Sequence, residues 1–243
     1  MPTLAIDTAT DVLSIALGDA SGAIDHANLC AGRQQLEMLL PEIYELLERN
    51  NSDFTDIDGI IAGTGPGMFS SLRVSIATAR GLAQALCIPV SGASSLKALA
   101  MGLLTANTSS TDAILPLIDA RRGQVFTQLF QTKDGISLFS ASEVECLNPD
   151  RVGDFIDDRS NRTVLGGGNG ALAHRGVLKK IDALELLAES DDRNQVSAVY
   201  HLSSYVPGSK FRAEGLLQLL PVYVREPDAD KTVLLRKREQ WQT

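Results

Sequence analysis

Nitrogen and sulfur ligands for a metal are scarce in this chain. Histidine and cysteine occur three times each in 243 residues. Cys30, Cys87 and Cys146 are far apart and form no C-x-x-C. His26, His174 and His201 include no i, i+4 pair and no H-E-x-x-H. Neither a thiolate zinc site nor a metalloprotease helix is therefore legible, and the expectation is no metal and no cofactor. Three scattered cysteines fit a reduced, cytoplasmic setting rather than a disulfide framework. No serine stands in the G-x-S-x-G context of a hydrolase elbow. No run reaches the ~18 uninterrupted apolar residues of a membrane span. The first residues, Met1-Pro2-Thr3-Leu4, lead into a strand pattern without the basic flank of a signal peptide. Cations are outnumbered, 22 Lys and Arg against 30 Asp and Glu, for a net charge of −8. Such a surface repels a phosphate backbone, so the isolated chain is expected to bind nucleic acid poorly.

What the chain does have is apolar residues, 44% of the total, enough for substantial cores. Their spacing changes along the sequence. Leu4 to Ile6 ends at Asp7, Val12 to Leu17 alternates, and a Ser21-Gly22 turn leads to Ala23–Leu29, which predicts an antiparallel meander. Leu36, Leu39, Leu40, Ile43, Leu46 and Leu47 then recur at helical spacing, with Pro41 inside the run, where it kinks the helix or starts its straight part. Ile60-Ile61 predicts a buried strand running into Gly63-Thr64-Gly65-Pro66-Gly67. Ser70 or Ser71 can cap the helix that follows. That helix has two apolar faces. One is Leu72, Ile76, Ala79, Ala83 and Leu86; the other is Val74, Ala77, Gly81 and Ala85, all small except the valine. A helix apolar on two faces needs two neighbours. A strand at 88–90 and a helix from Leu96 to Leu103 complete this half.

A polar stretch from Thr105 to Asp112 reads as a linker, and beyond it the pattern restarts. Ile114–Ile118 ends at Asp119 as the first strand ends at Asp7. Alternation over Gln124–Gln131, a Lys133-Asp134-Gly135 turn, a strand at 136–142, a helix near 150–157 and a strand at 163–165 follow. The repeat predicts two equivalent lobes, 1–108 and 109–243, each a mixed sheet with helices. A last strand is expected at Leu219–Val224, and after it a mobile charged tail.

The segments Asp7-Thr8-Ala9-Thr10, Leu39-Leu40-Pro41, Gly65-Pro66-Gly67 through Leu72-Arg73, Gly81-Leu82-Ala83, Ser94-Ser95-Leu96 and Asp119-Ala120-Arg121-Arg122-Gly123 occur in the order found in the TsaB (YeaZ) family. The chain resembles that family over nearly its whole length, most densely over 1–125, and Leu220-Pro221-Val222-Tyr223-Val224-Arg225 is similar to the family's C-terminal signature. The resemblance implies an α/β, two-lobed actin-like ATPase fold (ASKHA, ribonuclease H-like). It also implies a non-catalytic role in making threonylcarbamoyladenosine next to the tRNA anticodon. By the same resemblance the chain pairs with the catalytic relative TsaD, supports the ATPase TsaE, forms a homodimer when alone, and meets tRNA only through the complex.

The family's pairing helices correspond here to those carrying Leu36, Leu39, Leu40, Ile43, Leu72, Ile76, Ala77, Arg80, Gly81 and Ala83. Asp7, Thr8, Thr10, Gly65, Gly67 and Arg73 correspond to a vestigial nucleotide or anion loop, and Arg121 and Arg122 to a partner or tRNA contact. Two stretches depart from the family pattern. Met68-Phe69-Ser70-Ser71 stands where the family has Ser-Phe-Thr-Gly, and Gln34-Gln35-Leu36-Glu37 where it often has His-Ser. The residues themselves leave other readings open. Asp7 at a strand end can orient a hydrated metal on a phosphate or simply cap its own turn, and Gly166-Gly167-Gly168-Asn169-Gly170 can face an adenine or be a turn. The alternatives are an ATP-dependent small-molecule kinase of the actin-like superfamily and, lower, a peptidase.

Overall fold

The computed structural model describes residues 2–19, 21–106, 111, 113–132, 135, 137–160, 163–202, 216 and 218–224, residue 33 by its backbone only. Two sheets carry the fold. The first is built from β1 (Thr3–Asp7), β2 (Val12–Asp19), β3 (Gly22–Cys30), β4 (Gly59–Gly63) and β5 (Val90–Ala93), in the order β3-β2-β1-β4-β5. The second contains β6 (Ala113–Arg121), β7 (Gln124–Thr127), β8 (Phe130–Thr132), β9 (Leu138–Ser140), β10 (Glu145–Leu147), β11 (Val164–Gly167) and β12 (Leu184–Leu186). Its main path is β10-β7-β6-β11-β12, with β8 on β6 and β9 on β8. In each sheet the central strand pairs antiparallel with the next strand of its hairpin and parallel with a later one: β1 with β2 and β4, β6 with β7 and β11. The order is the same in both sheets, so the duplicated, two-lobed actin-like arrangement expected from the sequence is the observed one.

The helices are α1 (Gln35–Arg49), α2 (Phe69–Leu86), α3 (Ser95–Ala106), α4 (Val152–Asp157), α5 (Asn169–Ala173), α6 (Arg175–Leu178) and α7 (Val199–Leu202). β1 is buried on both faces. Leu4 and Ile6 face the core under α1 and α2, with Leu39, Ile43, Leu46, Ile76, Ala79 and Ala83. On the other face Ala5 and Ala16 are small, and the space above them is filled by Leu202 of α7 and by Ala198 just before it. β6 likewise divides its side chains. Ile114 and Ile118 pack with Leu96, Leu99 and Leu103 of α3, whereas Leu115 and Leu117 pack with Val152, Phe155 and Leu178. α3 thus crosses from its place beside β5 to cover the second sheet, and α7 crosses back to cover the first.

α1 carries Pro41 inside it, as the spacing predicted. Several other local expectations are corrected. α2 begins at Phe69, one residue before the expected serine caps, and its N-cap Met68 makes no side-chain bond. The alternating run 124–131 is broken at Gln128-Leu129 into β7 and β8, because the Leu129 N–H bonds the Ser142 hydroxyl (3.0 Å) instead of a ladder partner. Leu219–Val224 is no strand: the segment forms no ladder, and its Val222 N–H bonds the Thr64 carbonyl at 2.8 Å. Thr105 and Ala106 belong to α3 rather than to a linker. The rest of that linker apart from Thr111, two residues of the Lys133-Asp134-Gly135 turn, and the tail from Arg225 lie outside the described residues.

Candidate functional site

Asp7 closes β1 with its side chain 1% exposed. A buried carboxylate has to find donors, and this one finds three from separate parts of the chain. Its Oδ1 accepts from the Ala9 N–H (2.7 Å), and its Oδ2 accepts from the Ser95 hydroxyl (2.6 Å) and faces His201 Nε2 (2.7 Å). Ser95 is the first residue of α3 and His201 lies in α7, and both are as buried as Asp7. With Asp7 as acceptor, the Nε2 of His201 carries the proton. Ser95 also accepts from the Gly65 N–H (3.2 Å), and the Ser95 N–H donates to the Gly65 carbonyl (3.0 Å). One hub therefore joins β1, the glycine loop, α3 and α7.

The two loops that would flank a phosphate close on each other instead. The Met68 N–H donates to the Ala9 carbonyl (2.9 Å), and the Thr8 hydroxyl donates to the Ser71 carbonyl (2.7 Å). Gly67 lies so near Ala9 that any Cβ there would collide with the Ala9 backbone, and Gly65 holds a φ of 92°, which favours glycine. Thr10 Oγ1 accepts from the Val12 N–H (3.2 Å), and its carbonyl accepts from Gln35 Nε2 (2.7 Å). Arg73 is exposed, its guanidinium 5.3 Å from the Phe69 ring centroid. Of the residues assigned to an anion loop, the structure brings together Asp7, Thr8, Gly65 and Gly67, bonded or packed against their own chain, and turns Arg73 toward an aromatic ring. The glycine run 166–170 is closely packed: a Cβ at Gly168 would collide with the Leu117 carbonyl, and one at Gly167 with the Leu103 side chain.

Arg121 ends β6 and Arg122 opens the turn to β7, both with left-handed φ (60° and 54°). The Arg121 guanidinium bonds both oxygens of Asp11 (2.8 Å each), Asp119 Oδ2 (3.2 Å) and Met68 Sδ (3.3 Å). It bridges the second sheet to the β1–β2 loop and to the glycine loop. Arg121 is thus held in an exposed ion-pair network within its own chain, and Arg122 beside it is exposed.

On the outer side of the first lobe, the ten expected interface residues divide by burial. Leu39, Ile43, Leu72, Ile76 and Ala83 are corrected: they are buried in the core under the helices and cannot touch a partner. Leu36 (69% exposed) and Leu40 on α1 do face outward, as do Ala77 and Gly81 on α2, with Arg80 half-buried beside them. Tyr44, 58% exposed, continues the Leu36–Leu40 spacing by one more step, and Ala85 does the same for Ala77–Gly81. Sequence reading missed Tyr44, although its i, i+4 spacing was available. It also missed His201, for which no local signal exists, because it lies 194 residues from Asp7. Among the described residues no group of three His, Cys, Asp or Glu is placed to hold a metal ion, and no helix is long and apolar enough to cross a membrane.

The chain is 33% identical over 168 residues to the tRNA threonylcarbamoyladenosine biosynthesis protein TsaB of Escherichia coli (strain K12), covering 69% of this chain and 71% of that protein. The chain belongs to the TsaB family. The Bacillus subtilis (strain 168) TsaB is 30% identical over 187 residues, 74% of this chain and 76% of its own length. Among solved structures, YeaZ from Pseudomonas aeruginosa superposes with a TM-score of 0.74 at 25% identity, covering 91% of this chain and 99% of that one. Residues 29–143 match the family model described as TsaD: tRNA N6-adenosine threonylcarbamoyltransferase. For this TsaB-family chain the function lies in tRNA threonylcarbamoyladenosine biosynthesis, and the stretch that matches the transferase model contains both outward-facing helices, α1 and α2.

Proposed function

We propose that this chain is a non-catalytic subunit that docks TsaD through the outer face of α1 and α2, and that it acts in the cytoplasm with no membrane partner. The observation carrying this reading is a matched pair of stripes. Leu36, Leu40 and Tyr44 stand out at i, i+4, i+8 on one helix, and the small residues Ala77, Gly81 and Ala85 at the same spacing on its neighbour. A partner with the same fold, turned by a two-fold axis, lays its large stripe on the small one and receives the other in return. Charge supports the same pairing, because Glu37, Glu45 and Glu48 flank the first stripe and Arg73 and Arg80 the second. The likeness of residues 29–143 to TsaD supports TsaD as that partner. A second copy of this chain fits the same geometry when TsaD is absent.

The absence of catalysis in this reading rests on Asp7. Its carboxylate is engaged by protein donors on both oxygens, and the loops around it are bonded to each other rather than spread for a nucleotide. Residues 1–108 carry the docking helices and 109–243 the second lobe, with α3 crossing over to it. TsaE and tRNA would be engaged only by the assembled complex. The test is to copurify the chain with the TsaD of the same organism, with the parent and with Ala77→Trp, and to measure threonylcarbamoyladenosine in cellular tRNA by mass spectrometry after depletion. The expected result is a complex lost on Ala77→Trp and a modified nucleoside that falls on depletion. Pairing unaffected by the tryptophan overturns the proposed face.

A further inference from the structure

The outward stripe of α2 does not begin at Ala77. Two further steps of four residues toward the N-terminus reach Arg73 and then Phe69, which is 56% exposed. The Phe69 ring stacks on Tyr223, with centroids 5.1 Å apart and planes at 30°, and the Arg73 guanidinium lies over the same ring. Tyr223 belongs to the strap 219–224. Leu219 is buried in the core of the first lobe, the Val222 N–H is bonded to the glycine loop at Thr64, and Val224 packs against the core of the second lobe. The strap is thereby pinned across both lobes while Leu220, Val222 and Tyr223 stay exposed. Aromatic and arginine side chains in such a cluster are the types that dominate binding energy at protein interfaces.

We propose that the strap is the far end of the TsaD-docking face, with Phe69 and Tyr223 as aromatic anchors and Arg73 aimed at a carboxylate of the partner. This inference rests on the docking reading above and extends it from two helices to a third segment. The occupant is the same partner, because the cluster continues the α2 stripe without a break. Its consequence is conformational. Since Leu219 and Val224 sit in different cores, a partner that grips the strap favours the lobe arrangement in which both are seated.

Binding of the full chain to the TsaD of the same organism, measured by calorimetry, tests this. The variants are Tyr223→Ser, Leu220→Ser and Ala77→Trp, each checked by circular dichroism and thermal melting. The two strap variants are expected to melt like the parent, since both side chains are more than half exposed, and to weaken Kd about tenfold or more each. Tyr223→Phe, which keeps the ring, is expected to bind like the parent. Parental affinity in both strap variants alongside lost affinity in Ala77→Trp overturns the strap proposal and leaves the docking reading standing. Parental affinity in all three overturns both. Should a Tyr223 variant misfold, Leu220→Ser decides alone, because that side chain is 60% exposed.

Discussion

Burying Asp7 beside His201 takes two ionisable side chains out of water, and such a pair persists because each satisfies the other, with Ala9 and Ser95 adding donors to Asp7. Removing one member leaves an uncompensated buried group. His201→Ala is expected to destabilise the fold by about 3–5 kcal/mol and to lower the melting temperature markedly, with Ser95→Ala costing less, about 1–3 kcal/mol. Calorimetric melting of the three proteins checks the ranking. Asp25 makes a contrasting pair at the surface. The Arg49 guanidinium, bonded at 2.6 Å, holds its carboxyl down at about 2, helped by Asn50 and opposed by partial burial. A depressed carboxylate stabilises the fold above the ordinary value of 3.8 and loses that contribution as pH falls toward about 2. In Arg49→Ala the Asp25 titration followed by NMR is expected to move up toward 3.8, with little change in stability at neutral pH, since both partners are partly exposed.

At the scale of elements, α1 and α2 each have an inner and an outer face, and glycine separates the two roles. A side chain added at Gly81 meets nothing, whereas one at Gly67 collides with Ala9. Gly81→Leu is therefore expected to leave melting unchanged or raised, since leucine is a better helix former by up to ~1 kcal/mol, while weakening the pairing with TsaD. Gly67→Leu is expected to disrupt the loop and lower the melting temperature. Comparing thermal melts with pairing affinities for the two variants separates folding from docking. The same elements show what a linear reading can recover. The apolar period gave α1, α2, α3 and the central strands of both sheets, because buried helices and strands carry long, strong repeats. It did not give β10, β12 or α5 to α7, which are three to five residues long. It also took 219–224 for a strand, because an apolar segment pinned by one backbone bond and side-chain packing has the composition of one that pairs.

For the whole molecule, the lobes are tied together at places far apart in sequence: α7 on the first sheet, the strap across both cores, and Arg121 on Asp11. The Arg121 bridge is exposed, so Arg121→Ala is expected to change stability by only about 0–1 kcal/mol. Its effect should appear instead as faster hydrogen exchange in the β1–β2 and β6–β7 loops, measured by mass spectrometry, with the core of each sheet unchanged. The proposed docking belongs to this scale too, because the face put forward for a partner would be assembled from two helices and the strap. The sequence by itself determined the duplicated α/β lobes, the family and the presence of the two long helices α1 and α2, since these depend on periodicity and on short ordered motifs. Which side of each helix faces outward, and what occupies the cleft carboxylate, were decided only by tertiary structure. Leu39 and Leu40 look alike in the chain, and only the packing of α1 on its sheet buries the first and exposes the second. Asp7 looks ready for a ligand until the chain's return, 194 residues later, places His201 against it.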